Sequence, residues 1–273
     1  MSDRRLARRR PIARRTFEAL AIGALADAVL GCGAAPPPPP PKLPPLETKN
    51  LTDLCTSAGL EWIVLVRPRE IAAIAWLIPE IALFTTEANL DAFAKDTGID
   101  LRQVPEAVLA RFDASLGEAD LQIVRHDGDG AKIEELFAKR LTAEPRATSE
   151  RPDLARVGGI IGTTPHAMAR IGADVVAFQD GGSIEKGPLR IATLSAEGKI
   201  KKTPRALEIE PLESLRARFG NAPAIGLAVG PFQDEWKRAA KGLLEAATGV
   251  GIALRATARE HLWSYISRGM GKE

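Results

Sequence analysis

The residues of this chain best suited to chemistry are scattered, and every familiar arrangement breaks at a position it requires. Gly159-Ile160-Ile161-Gly162 follows a strand-like run, as a phosphate-binding turn would. A dinucleotide loop of the form GxGxxG needs its first glycine at position 157, which is Val157. No phosphate-binding lysine follows a glycine-rich turn. Asp127-Gly128-Asp129-Gly130 opens like a calcium loop. An EF-hand then requires an oxygen ligand at its fifth position, glycine at its sixth and glutamate at its twelfth, where Ala131, Lys132 and Ala138 stand. The same residues read as a turn into a helix that Asp129 caps. His126, His166 and His261 lie far apart, and none sits in a recognised zinc-ligand spacing. Ser183, after Gly181-Gly182, is the serine with a glycine-rich setting, but it lacks the following glycine of a GxSxG nucleophile turn. Glu208, Glu210 and Glu213 surround a helix start, where carboxylates complement the dipole and face water. The sequence therefore supplies no catalytic residue and implies neither a metal nor a cofactor.

The N-terminus carries a clearer signal. A basic region reaches Arg15, an apolar region runs over residues 19–30, and small residues follow at Gly31. Arg14-Arg15-Thr16-Phe17 resembles the twin-arginine export motif, and Val29-Leu30-Gly31-Cys32 resembles a lipobox, in which a small residue precedes the cysteine that receives lipid. Leu30 departs from the smaller or β-branched residue usual there, and cleavage among Gly33, Ala34 and Ala35 is the alternative. The apolar region is too short to span a bilayer, and Asp27 inside it would be costly there. The resemblance covers about 20 residues and is to exported bacterial lipoproteins as a class. It implies a signal over residues 1–31 read through Arg14, Arg15 and Phe17, lipidation at Cys32, and a chain attached to the cell-envelope membrane on its periplasmic or outer side.

Six prolines, Pro36 to Pro41, and then Lys42-Leu43-Pro44-Pro45 follow the cysteine. Such a run forms a polyproline II spacer, and at ~3.1 Å per residue the stretch from Pro36 to Pro45 spans roughly 30 Å. Residues 32–45 thus read as anchor and tether, and residues 46–273 as one soluble domain.

Composition bounds that domain. An apolar share of 45% supports a real core. The net charge of +2 is misleading, because residues 1–31 hold seven arginines against three acids. The remainder is slightly acidic, which removes the clustered positive footprint that nucleic-acid binding needs. With Cys32 lipidated, Cys55 has no partner and is expected to be buried after Leu51 and Leu54.

Periodicity gives an α+β fold: a mixed, largely antiparallel sheet with helices packed on it. A continuously apolar strand is expected over residues 61–66, then a helix over 70–77 stopped by Pro79 and another over 87–97 closed by Gly98. Strands at 107–113 and 120–126, a helix at 130–141 and a strand at 156–162 complete a ferredoxin-like βαββαβ order. A hairpin of 167–171 and 174–179 follows, then a helical stretch at 188–194. Next come a helix from Pro211 striped by Leu212, Leu215 and Phe219, and a strand at 224–229. The strongest expected helix covers 231–247, with Phe232, Trp236, Ala240, Leu243 and Ala247 on one face, before a last strand at 252–258 and a tail carrying Trp263, Tyr265 and Ile266. The second half loosely echoes the first, dividing near residue 163.

Two functional classes survive. One is a noncatalytic envelope lipoprotein, held to the membrane by lipid on Cys32, whose domain binds or scaffolds an envelope protein or small ligand. The other is an envelope enzyme, cofactor-containing or hydrolytic, exported already folded. A pocket with convergent polar groups near Arg67, His126 or His166 would favour the enzyme, and an evenly sealed core the binding module.

Overall fold

Leu60–Val66 is apolar on both sides because it has partners to meet on both sides. Ile63 belongs to the main core on one face of the sheet, and Trp62 to a smaller cluster on the other. The computed structural model describes residues 43–269, apart from 114, 116, 143–145, 201–202, 233 and 257–260. The export motif with Arg14, Arg15 and Phe17, the acceptor Cys32 and most of the proline run lie outside the described residues.

The strands are β1 (Leu60–Val66), β2 (Glu106–Phe112), β3 (Ala119–Arg125), β4 (Arg146–Arg151), β5 (Leu154–Ile161), β6 (Thr164–Ile171), β7 (Val175–Asp180), β8 (Ala224–Val229), β9 (Ala247–Ala256) and β10 (His261–Gly269). They form one ten-stranded sheet in the order β10-β9-β8-β1-β2-β3-β7-β6-β5-β4, and each neighbouring pair is antiparallel. The helices are α1 (Pro68–Ala72), α2 (Ile78–Phe84), α3 (Glu87–Thr97), α4 (Gly130–Arg140), α5 (Pro188–Ala196), α6 (Leu212–Phe219) and α7 (Asp234–Ala239). Residues 44–273 form one compact unit. The α+β class is as the periodicity indicates.

Strand alternation sorts the apolar residues into two layers. On one face Val108, Ala110, Phe112, Leu121, Ile123, Val175 and Ala177 meet Leu189 and Ala192 of α5 and Leu212, Leu215 and Phe219 of α6. On the other face Ala107, Val124, Val157, Met168 and Val176 meet Ile133 and Phe137 of α4, on which α3 packs. Farther along that second face Phe232 and Leu244 cover Ala228 and Val250.

Four expectations are corrected. The first half is not ferredoxin-like: β1 and β2 are direct antiparallel neighbours, with Val66 opposite Ala107, so no strand is inserted between them. The helical excursion between these strands leaves and returns at the same end of the sheet, whereas a split βαβ must cross it. Pro79 begins a helix instead of stopping one, since it occupies the first turn of α2, where its missing N–H costs nothing. The helix expected over 231–247 ends at Ala239. Positive φ at Lys241 and Gly242 turns the chain, Leu244 is buried in place of an 86%-exposed Leu243, and Ala247 starts β9. Finally, β4 and β10 were not expected as strands. Arg146–Arg151 is charged and polar and lacks an apolar alternation, as suits a sheet edge. The division near residue 163 falls in the turn of the β5–β6 hairpin, where Ile161 faces Thr164.

Candidate functional site

Strand register on the second face stacks polar side chains into a row. Arg111 lies opposite Asp120, Asp120 opposite Asp180, and Asp180 opposite His166. The adjacent row runs Leu109, Gln122, Phe178, Met168 and Val157. Where α3 and α4 approach these rows, they leave a cleft of about 280 Å³. Its walls are apolar, formed by Phe93 of α3, Ile99 and Leu101 after it, Phe137 of α4, and Val124, Ile161 and Phe178 of the sheet. Its polar side chains are Thr97, Gln122, Arg140, His166 and Asp180.

The polar end is a connected set. His166 Nδ1 lies 2.5 Å from Asp180 Oδ1, and the Gln122 side-chain amide donates to Asp180 Oδ2 at 3.2 Å. A carboxylate can only accept, so Nδ1 carries hydrogen and Nε2 is the free ring nitrogen. Thr97 is already committed, donating its hydroxyl to Phe93 O at 2.7 Å and accepting from Ile99 N. Asp120 is held by Arg111 at 3.0 Å. Among the described residues, Arg140 has no ion-pair partner.

Local sequence chemistry fixes the walls. Thr86 caps α3 by accepting from Asn89 N, and Gly98 ends it at φ +75°, a left-handed conformation that a glycine adopts without strain. Arg102 then clamps the helix to the following loop, bonding Glu87 at 2.6 Å, Asp91 at 2.7 Å and Asp100 at 2.8 Å. The Arg102 guanidinium holds the Asp100 carboxyl below the usual carboxylate range. Asp129 caps α4 by accepting from Ala131 N at 2.9 Å, as the turn-into-helix reading expects. Phe137 and Phe178 meet across the cleft floor with ring centroids 5.8 Å apart.

The other sequence candidates do not join this set. His126 is buried near the Asp127-Gly128 turn, with Nδ1 on Gly128 O at 3.1 Å, and burial pushes its pKa down. Ser183 Oγ accepts from Lys186 N at 3.2 Å. Glu208 caps Arg205 N and Glu210 bonds Ser214, so the acidic cluster is dispersed among local partners. Gly159 sits where Leu141 packs on the strand, its ideal Cβ position 3.2 Å from that side chain, the close packing expected of it. Arg67 binds the carbonyl of Ala222 and Glu70 away from the cleft. Cys55 is fully buried and its thiol is pushed up to about 12. A larger depression of about 630 Å³ lies by Asp53, Arg205 and Glu208, but Arg205 is already spent on Asp53 at 3.1 Å and on Glu208. No group of three or more His, Cys, Asp or Glu residues among the described residues is placed to hold a metal ion.

The His166–Asp180 pair was legible one residue beyond the expected hairpin. Extending the strands at 167–171 and 174–179 by one position at each end brings 166 opposite 180.

No family model matches the chain, and no curated protein matches it. Solved structures do. Crystal form III of TP0453 superimposes with a TM-score of 0.51 at 9% identity, over 85% of this chain and 82% of that one. Crystal form IV of TP0453 gives 0.48 at 11% identity, over 82% and 80%. At this identity the likeness to form III shows the fold alone.

Proposed function

We propose that this chain is an exported lipoprotein of the cell envelope, anchored through lipid on Cys32, whose domain is a noncatalytic binding module using the α3/α4 cleft. The anchor rests on Arg14-Arg15-Thr16-Phe17 and on the small residue before Cys32. Among the described residues no helix is long and apolar enough to cross a membrane, so attachment in this reading falls to the lipid. A cleft at His166 is the feature that would favour an enzyme, but among the described residues no serine or cysteine lines it, and its one hydroxyl, Thr97, donates to Phe93 O. What carries the binding role is its apolar wall ending in a few convergent polar groups, the general form of a small-ligand site.

The test is native mass spectrometry of the full chain extracted from its own membranes, beside an Ile161→Trp variant. Ile161 is half-buried at the cleft wall, so a larger ring there fills the space with little demand on the core. A small molecule retained by the parent and lost from the variant supports the reading. Equal retention by both removes the cleft as the site. The hydrolytic reading has one observation in its favour, the His166–Asp180 pair, because a carboxylate-oriented imidazole is the base of many hydrolases. Turnover of an ester panel that disappears in His166→Asn would put the enzyme ahead.

A further inference from the structure

We propose that the ligand of this cleft is a compact apolar carboxylate, its chain lying on Phe93, Phe137 and Phe178 and its head group on Arg140 at the polar end. The inference rests on the cleft being a ligand site and adds the chemical class of the ligand.

The assignment follows from which polar capacity is spent and which is open. Asp180 already accepts from His166 at Oδ1 and from Gln122 at Oδ2, so its charge is shared with two partners. Thr97 has given its hydroxyl hydrogen to Phe93 O and has no donor left for a ligand. Among the described residues lining the cleft, the charged side chain without an ion-pair partner is the Arg140 guanidinium, and His166 Nε2 is also open. A guanidinium only donates, and its planar fork matches a carboxylate. With its hydrogen on Nδ1, His166 Nε2 is an acceptor and takes a donor such as a bridging water beside the head group. The charged groups around that imidazole are Asp180 on β7, Asp120 on β3, itself neutralised by Arg111, and Arg140 on α4. A carboxylate arriving beside Arg140 gives the guanidinium the anion it lacks. A cationic head would face Arg140 unscreened, and a neutral hydroxyl would leave the guanidinium without an anion. Size sets the rest. A cleft of about 280 Å³ is smaller than the usual site for a drug-sized molecule, so the apolar part is short.

Calorimetric titration of the full chain with sodium octanoate, 1-octanol and octylammonium chloride tests this. Octanoate is expected to bind about tenfold or more tighter than octanol. Arg140→Gln should erase that difference while leaving octanol binding unchanged, and Ile161→Trp should abolish binding of all three. Octanol or octylammonium binding as tightly as octanoate, still lost in Ile161→Trp, would overturn the carboxylate assignment and leave the cleft standing as a ligand site. No binding by any of the three would overturn both.

Discussion

Replacing Gln179 with methionine should destabilise the domain by about 3 kcal/mol, because one buried amide does the work of a missing helix cap. Gln179 is fully buried. Its Nε2 donates to Gly181 O at 2.9 Å and to Ser183 O at 3.2 Å, and its Oε1 accepts from Leu189 N at 3.0 Å. Leu189 lies in the first turn of α5, where backbone N–H groups have no helical partner. The N-cap residue Gly187 has no side chain to offer, and Pro188 brings no N–H of its own. Methionine keeps the length and volume of the side chain, so the loss is the hydrogen bonding with little cavity cost. Three bonds at about 1 kcal/mol each give the figure, and stranding the Leu189 N–H in the core pushes it upward. For a domain of this size that is a fall in Tm of about 6–12 °C. Urea unfolding followed by circular dichroism reads both midpoint and slope. A loss under about 1 kcal/mol with unchanged slope would refute the reasoning, since it would mean that water replaces the amide at all three groups. Gly187→Ala should fail in the same direction, since its ideal Cβ lies 2.5 Å from both the Gln179 amide and Ser183 O.

Three other outcomes are expected. Cys55, buried with its thiol pushed up to about 12, should resist Ellman's reagent at pH 8 in the folded protein and react fully in urea. The His126 pKa is lowered from 6.5 by burial, so the unfolded chain takes up that proton first. Stability should be full above pH 6.5 and fall as pH drops below it, with a slope of at most about 1.4 kcal/mol per pH unit that His126→Asn removes. Leu83→Ser together with Phe84→Ser should shift stability by no more than about 0.5 kcal/mol, because these side chains are 77% and 89% exposed; a larger loss in urea unfolding would mean that α2 has a packing role.

Much of the architecture was readable where a single local rule decides it. The apolar run of β1, the Gly98 stop of α3, the Asp129 cap and the Leu212, Leu215 and Phe219 stripe of α6 each depend on residues within a few positions of one another. Reading failed where distant residues decide. The direct pairing of β1 with β2 depends on which end of the sheet the helical excursion returns to, and apolar periodicity does not encode that. The stripe from Phe232 to Ala247 was real in its first turn, but Lys241 and Gly242 reverse the chain, and Leu244 buries in place of Leu243. The edge strand β4 is charged and polar and offers no apolar alternation to read, whereas Trp263, Tyr265 and Ile266 of β10 read from the sequence as a tail. In the cleft, the alternation put His166 and Asp180 within one residue of recognition. That Phe137, Arg140 and Phe93 would converge on them follows only from how α3 and α4 lie on the sheet. The Gln179 cap was invisible for the same reason, since its partner stands ten residues away across a turn.

The proposed envelope anchor would decide where the proposed cleft site meets a ligand. Intact-mass measurement of the protein extracted from the membranes of its own cells tests it most directly. The expected mature chain begins at Cys32 and is heavier than its sequence by a lipid modification, which Cys32→Ala abolishes together with membrane attachment. A mature chain beginning after Ala34 or Ala35, with no added mass, would contradict it.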